Sequence, residues 1–172
     1  GRGTLLSQSV SNPLSYSDHF NYPLTLAELW YWQIDTIFSL AKIKKIVSSR
    51  PGVKSSQGLF FLPGRSALVN LRHLRHRYSQ KKYLLAEAVG NRLRRFPTIS
   101  AVFGTGALSM YNCPKNDDID LMVVTSPNTL WITRFLLVSY LRFTSLRRPP
   151  SLLEHSSPRV NNKICDNLYL DS

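Results

Sequence analysis

A chain of 172 residues, 43% of them hydrophobic, suits one mid-sized domain or two small ones and can build real cores, which sets aside a disordered or fibrous polypeptide. Its formal charge of +12, from 22 Lys and Arg against 10 Asp and Glu, favours an anionic partner (nucleic acid, a nucleotide or an acidic protein) without choosing among them. Cys113 and Cys165 are too few for a disulfide scaffold and lack the paired spacing of a zinc site, so reduced thiols and a cytoplasmic location are expected. No signal-peptide pattern opens the chain. The most apolar segment, 129–146, carries Arg134 and Arg142 and is too short and too charged to span a bilayer, so no membrane partner is expected.

Residues 1–17 are rich in Ser, Gly and Asn with few apolar residues in any period, and are expected as a disordered tail. A module over 18–64 follows. Thr25 stands three residues before Glu28 in capping-box spacing, predicting a helix from Leu26 to about Ile34. Trp30, Tyr31 and Trp32 are expected as packing residues, because two of three neighbours on a helix must turn inward. Leu40, Ile43, Ile46 and Val47 recur at helical spacing with Lys42, Lys44 and Lys45 on the other face. Residues 53–62 then read as two short strands around a Ser-Ser-Gln-Gly turn. Helix, helix, hairpin is the order of the later parts of a winged helix-turn-helix, with residues 39–49 in the recognition-helix place and Lys54 on the wing. Nucleic acid held by Lys42, Lys44, Lys45 and Lys54 is one reading; a solvated lysine face is the plainer one.

Residues 65–96 read as a connecting helix, one long helix or two abutting ones, whose polar face carries Arg72, Arg75, Arg77, Lys81, Lys82, Arg92, Arg94 and Arg95. His73 and His76 are three apart, as helical metal ligands can be, but no third ligand accompanies them, so surface histidines are expected.

The stretch 99–125, ISAVFGTGALSMYNCPKNDDIDLMVVT, organises the remaining part, 97–172. It reads as a buried strand, a glycine turn (Gly104, Thr105, Gly106), a short helix and a second strand opening at Asp118. Strand alternation places Asp118 and Asp120 on one face and Ile119 and Leu121 on the other. Two carboxylates that close need a cation or a proton between them, and Mg²⁺ or Mn²⁺ is the expected guest. Gly104 and Gly106, having no Cβ, let backbone N–H groups approach a phosphate, and the helix start adds the positive end of its dipole. The plainer reading is a β-turn-α-β unit whose acids cap a strand. Asp117 falls on the opposite face and is expected in solvent. A helix over 129–146, ended by Arg147-Arg148-Pro149-Pro150, would cover the sheet; a polar loop runs to Asn162, and 163–172 alternate as a third strand.

Apolar strand, glycine turn, a spacer of about ten residues and Asp-x-Asp in a second apolar strand is an order that resembles the nucleotidyltransferase superfamily of DNA polymerase β. More broadly, the run of Tyr22-Pro23-Leu24-Thr25, LFFLPGR, a basic helix ending near Pro97, GTGALSMYNCPKNDDIDLMVVT, TLWITRFLL, Arg147-Arg148-Pro149 and KICDNLYLD makes residues 18–172 similar to bacterial nucleotidyltransferase-domain proteins with a helical or winged-helix N-terminal part. The resemblance implies an α+β protein: a winged-helix-like module, a connecting helix and a polymerase β-like core with a small mixed sheet, cut short at its C-terminus. It implies an enzyme moving a nucleoside monophosphate from an NTP to an acceptor by two-metal-ion catalysis, with Asp118 and Asp120 as Mg²⁺ ligands and Gly104, Thr105, Gly106, Ala107 and Ser109 around the phosphates. Ala107 stands where the family carries serine, so a hydroxyl must come from Thr105 or Ser109, or the backbone serves alone. The third carboxylate of such sites comes from the third strand, with Asp166 first and Asp171 second in line. The alternative is a nucleic-acid-binding or regulatory protein that keeps the fold as a scaffold.

Overall fold

The computed structural model describes residues 2–33, 38–149 and 160–171. It is an α+β protein with six helices and two sheets among those residues. The chain forms two compact units, Gly1–Leu74 and Arg75–Ser172, and the division falls inside the long helix read from the sequence.

The first unit begins with α1 (Arg2–His19), where a disordered tail was expected. Val10 and Leu14 are buried apolar positions and Ser17 is buried as well, a spacing of four and three that aligns them on one helical face. The surrounding serines hid that face. β1 (Leu24–Thr25) leads into α2 (Leu26–Tyr31), started by the expected box: Glu28 N–H donates to Thr25 Oγ1 at 3.1 Å and Thr25 N–H to Glu28 Oε2 at 2.8 Å. The helix ends at Tyr31; Ile34, its expected last residue, lies outside the described residues. Contrary to expectation, Trp30, Tyr31 and Trp32 all stay exposed, at 42, 78 and 39%. Leu29 is the residue of this short helix that turns inward. Then come α3 (Leu40–Ser49), β2 (Lys54–Ser56) and β3 (Leu59–Phe61), with Gln57 and Gly58 both at positive φ in a two-residue hairpin turn. The antiparallel sheet runs β1-β3-β2.

The helix α4 (Leu68–Leu93) gives each unit a share. In the first, Leu68 and Val69 are buried, and Arg72 lies over the Tyr22 ring while its guanidinium holds Glu28 Oε1 at 2.8 Å. In the second, Ala86, Val89 and Leu93 pack into a core with residues of the second sheet.

That sheet consists of β4 (Ile99–Gly104), β5 (Ile119–Thr125) and β6 (Ile164–Asp171) in the order β4-β5-β6, with β4 antiparallel and β6 parallel to β5. Between β4 and β5 stands the single turn α5 (Gly106–Ser109), and between β5 and β6 the helix α6 (Leu130–Phe143). A parallel neighbour requires a crossover, and α6 supplies it. It stops at Phe143, three residues short of the expected end, where Ser145 takes positive φ. Of the polar loop expected before Asn162, residues 150–159 lie outside the described residues.

One face of the sheet is the core. Ile119, Leu121, Val123 and Ile164 join Val89 and Leu93 of α4 and Leu137 and Leu141 of α6. On the other face Phe103, Met122 and Leu168 share one row, and Phe103 and Leu168 are exposed. Asp120 belongs to that open face, because it alternates with Leu121. Among the described residues no helix is long and apolar enough to cross a membrane.

Candidate metal centre

The aspartates stand where β5 begins. Asp118 is buried and Asp120 half-buried, and each offers a carboxylate oxygen within 4.8 Å of the other and of the Cys165 thiol. Cys165 arrives there because it pairs with Asp120 across β5 and β6. This pairing also places Asp166 beside Leu121, on the opposite face. Asp166, expected as the third carboxylate, is therefore not in the group: Arg147 Nε donates to it at 3.0 Å and Tyr169 OH at 2.9 Å. The second candidate, Asp171, sits at the far end of β6 and accepts from Thr125 Oγ1 at 3.0 Å and the Asn128 N–H at 3.1 Å. A register shift at Leu121/Met122 inserts one extra residue in β6, which no periodicity in the sequence announces.

The glycine turn packs against Asp120. Gly106 has φ +59°, and a Cβ built on it would run into the Asp120 carboxylate, so only glycine leaves that carboxylate its place. The turn is also tied to β5 by Thr105 N–H donating to the Asp120 carbonyl at 3.0 Å. That N–H is thereby engaged, and the Ser109 hydroxyl is engaged too, with Oγ donating to Gly106 O at 2.8 Å. The α5 turn spans four residues, too short to present the dipole expected of a helix start. Gly104 borders a groove of about 230 Å³ whose polar lining is Tyr83, Glu87, Asn91 and Arg94.

Two cations serve the acids. Arg148 Nη1 lies 2.8 Å from Asp118 Oδ2 and its side chain also hydrogen-bonds Cys165. Burial works against the charge on Arg148, but Asp118 and Cys165 together outweigh it and hold the guanidinium above its ordinary value. Lys82, expected on the polar face of the basic helix, is instead 2% exposed. Its ammonium donates to the Asp117 carbonyl at 2.7 Å, to Asn161 Oδ1 at 2.9 Å and to Asn162 Oδ1 at 3.1 Å, fastening the start of β5 to the loop before β6. Burial pushes its pKa down. Burial also lifts the Cys165 thiol to about 11, with the charges of Asp118 and Asp120 adding to the effect.

Asp117 is half-buried where solvent exposure was expected, and burial together with the charge of Asp118 lifts its pKa from 3.8 to about 6. The folded state thus keeps a proton that the unfolded chain has already released, so stability falls as pH rises between those two values and the full cost stands above the upper one. Asp117→Asn, which resembles the protonated form, should gain about 1 kcal/mol at pH 8 once screening of a partly exposed group is allowed for, and nothing below about pH 4. Thermal melts of both proteins across this range check it; a gain that does not depend on pH would reject the assignment.

His73 and His76 do not converge on a site: His73 Nε2 meets Gln57 Oε1 at 3.0 Å, and His76 stacks on Tyr111. In the first unit Lys42, Lys44, Lys45 and Lys54 are all exposed, with Lys42 over the Phe38 ring. No protein-family model matches the chain, and no curated protein or solved structure matches it either.

The group fits a divalent cation by its donors. Two carboxylates and a thiol close to one another, beside a turn that excludes a side chain, are a set that a borderline metal accepts. Arg148 and Cys165 were both missed by sequence reasoning. The Arg147-Arg148 pair was legible only as a helix stop, and Cys165 only as a lone thiol.

Proposed function

We propose that the second unit holds a divalent cation on Asp118 and Asp120 and transfers a nucleoside monophosphate from an NTP to an acceptor hydroxyl. The supporting observation is the convergence of the two carboxylates against a turn in which Gly106 makes room for Asp120. Mg²⁺ or Mn²⁺ bound there supplies positive charge to a triphosphate and to an attacking oxygen. Asp118 and Asp120 would hold and orient it, and Gly106 keeps a side chain off the Asp120 carboxylate. Cys165, in the place foreseen for a carboxylate, is a softer donor and tilts the set towards Mn²⁺ over Mg²⁺.

A second reading is favoured by one specific observation: Asp118 already has a cation partner in Arg148. A nucleotidyltransferase-like scaffold that binds nucleic acid through Lys42, Lys44, Lys45 and Lys54 would need no metal. Two measurements separate the readings. Mn²⁺ at 100 times its Kd should stabilise the wild type by about 2.7 kcal/mol and leave the doubly substituted Asp118→Asn, Asp120→Asn protein unmoved. With NTPs and mixed RNA, DNA and protein acceptors, pyrophosphate should be released by the wild type and not by Asp120→Ala. Equal manganese shifts in both proteins would remove the metal site, and a shift without pyrophosphate release would favour the scaffold.

A further inference from the structure

We propose that Arg148 is a built-in counter-cation that holds the Asp118 and Cys165 side of the site against a divalent metal, so that arginine and metal occupy these donors in turn. The proposal rests on the reading of Asp118 and Asp120 as metal ligands. Its basis is that Arg148 engages two of the three donor groups, Asp118 at 2.8 Å and the Cys165 thiol. Each of those contacts is made to a group that a metal there would take as a ligand.

The pairing is built into the fold. Arg148 N–H donates to Ile164 O at 2.8 Å, and Ile164 N–H to Leu146 O at 2.8 Å, so the backbone of the Arg148 segment is fastened beside the residue preceding Cys165. Metal entry therefore requires the side chain to swing out while the backbone stays. The neighbouring Arg147 is turned to the other face, on Asp166, and cannot take over. With side chains 5 and 18% exposed, Asp118 and Arg148 meet where water screens little, so the ionised Asp118 is stabilised by a cation beside it.

Charge makes the occupants exclusive. The two aspartates carry two negative charges; Arg148 balances one of them, and a divalent ion balances both. An ion added with Arg148 still in place leaves a surplus positive charge in a poorly solvated space, whereas an ion that displaces Arg148 leaves the pair neutral.

The test is Mn²⁺ affinity of the full chain, from the electron paramagnetic resonance of free Mn²⁺ and from calorimetry. Arg148→Gln should bind Mn²⁺ about tenfold more tightly than the wild type, and Asp118→Asn should weaken it in either background. Equal affinity in wild type and Arg148→Gln, with Asp118→Asn still weakening it, would overturn the counter-cation while leaving the metal site standing. No binding by wild type or Arg148→Gln would overturn both. If Arg148→Gln does not fold, the wild type itself answers: the Arg148 Nε–H resonance should move and lose protection from exchange at Mg²⁺ saturation. An unchanged resonance at saturation overturns the proposal.

Discussion

Gly106→Ala is expected to cost about 3 kcal/mol of stability and to abolish the manganese response. Two effects add. An alanine at φ +59° is held in the left-handed region, at a cost of about 1 kcal/mol relative to glycine. Its Cβ also falls on the Asp120 carboxylate, which must swing aside, and with it one member of the Asp118, Asp120 and Cys165 group. Gly90→Ala is the control: nothing lies within 4 Å of a Cβ there and the residue is helical, so a gain of about 0.5 to 1 kcal/mol is expected. Denaturant melts with and without Mn²⁺ measure both. A Gly106→Ala protein as stable and as responsive as the wild type would mean that the turn does not abut Asp120 in solution.

Lys82→Met should be at least as damaging. Methionine fills the volume but leaves the Asp117 carbonyl and the Asn161 and Asn162 side-chain oxygens without their shared donor, in a place where the lysine is 2% exposed. Loss of a buried charged donor costs about 3 kcal/mol. Because Lys82 joins the residue before Asp118 to the loop that feeds β6, the substitution should also loosen the alignment of Asp118 with Cys165 and weaken manganese binding. Lys81→Met, one residue away and exposed, should change stability by no more than about 0.5 kcal/mol. Comparable losses in the two variants would show that burial of Lys82 is not what sustains this corner of the unit.

The contrast between Lys81 and Lys82 shows where sequence reading stops. Helical periodicity found α4, but which of two adjacent lysines turns inward depends on Asn161 and Asn162, about eighty residues away, and no local pattern encodes that meeting. Local chemistry was legible wherever it is self-contained: the Thr25 and Glu28 capping box, the alternation that puts Asp118 and Asp120 together, and the hairpin at 53–62, although its turn is Gln57-Gly58 alone, with Ser55 and Ser56 of the expected Ser-Ser-Gln-Gly turn paired in β2. Register was not. Whether Cys165 or Asp166 faces Asp120 turns on a one-residue choice in β6, and the extra residue beyond Leu121 removes the regularity from which it could be guessed. The mistaken tail at α1 has another cause: Ser and Asn lower intrinsic helix propensity, and burial of Val10 and Leu14 overrides it.

The burial of Lys82 also makes the chain its own chemical clock. Amines react with acylating reagents only when they reach solvent, and this one does so only after its three oxygen partners let go. Its labelling rate therefore counts openings of the loop before β6, one event at a time when reagent is abundant and as an equilibrium population when it is scarce. The exposed lysines at 42, 44, 45, 54 and 81 label at once and serve as the zero of that clock. A cation that tightens the acid end of β5 should slow Lys82 and leave those exposed lysines unchanged.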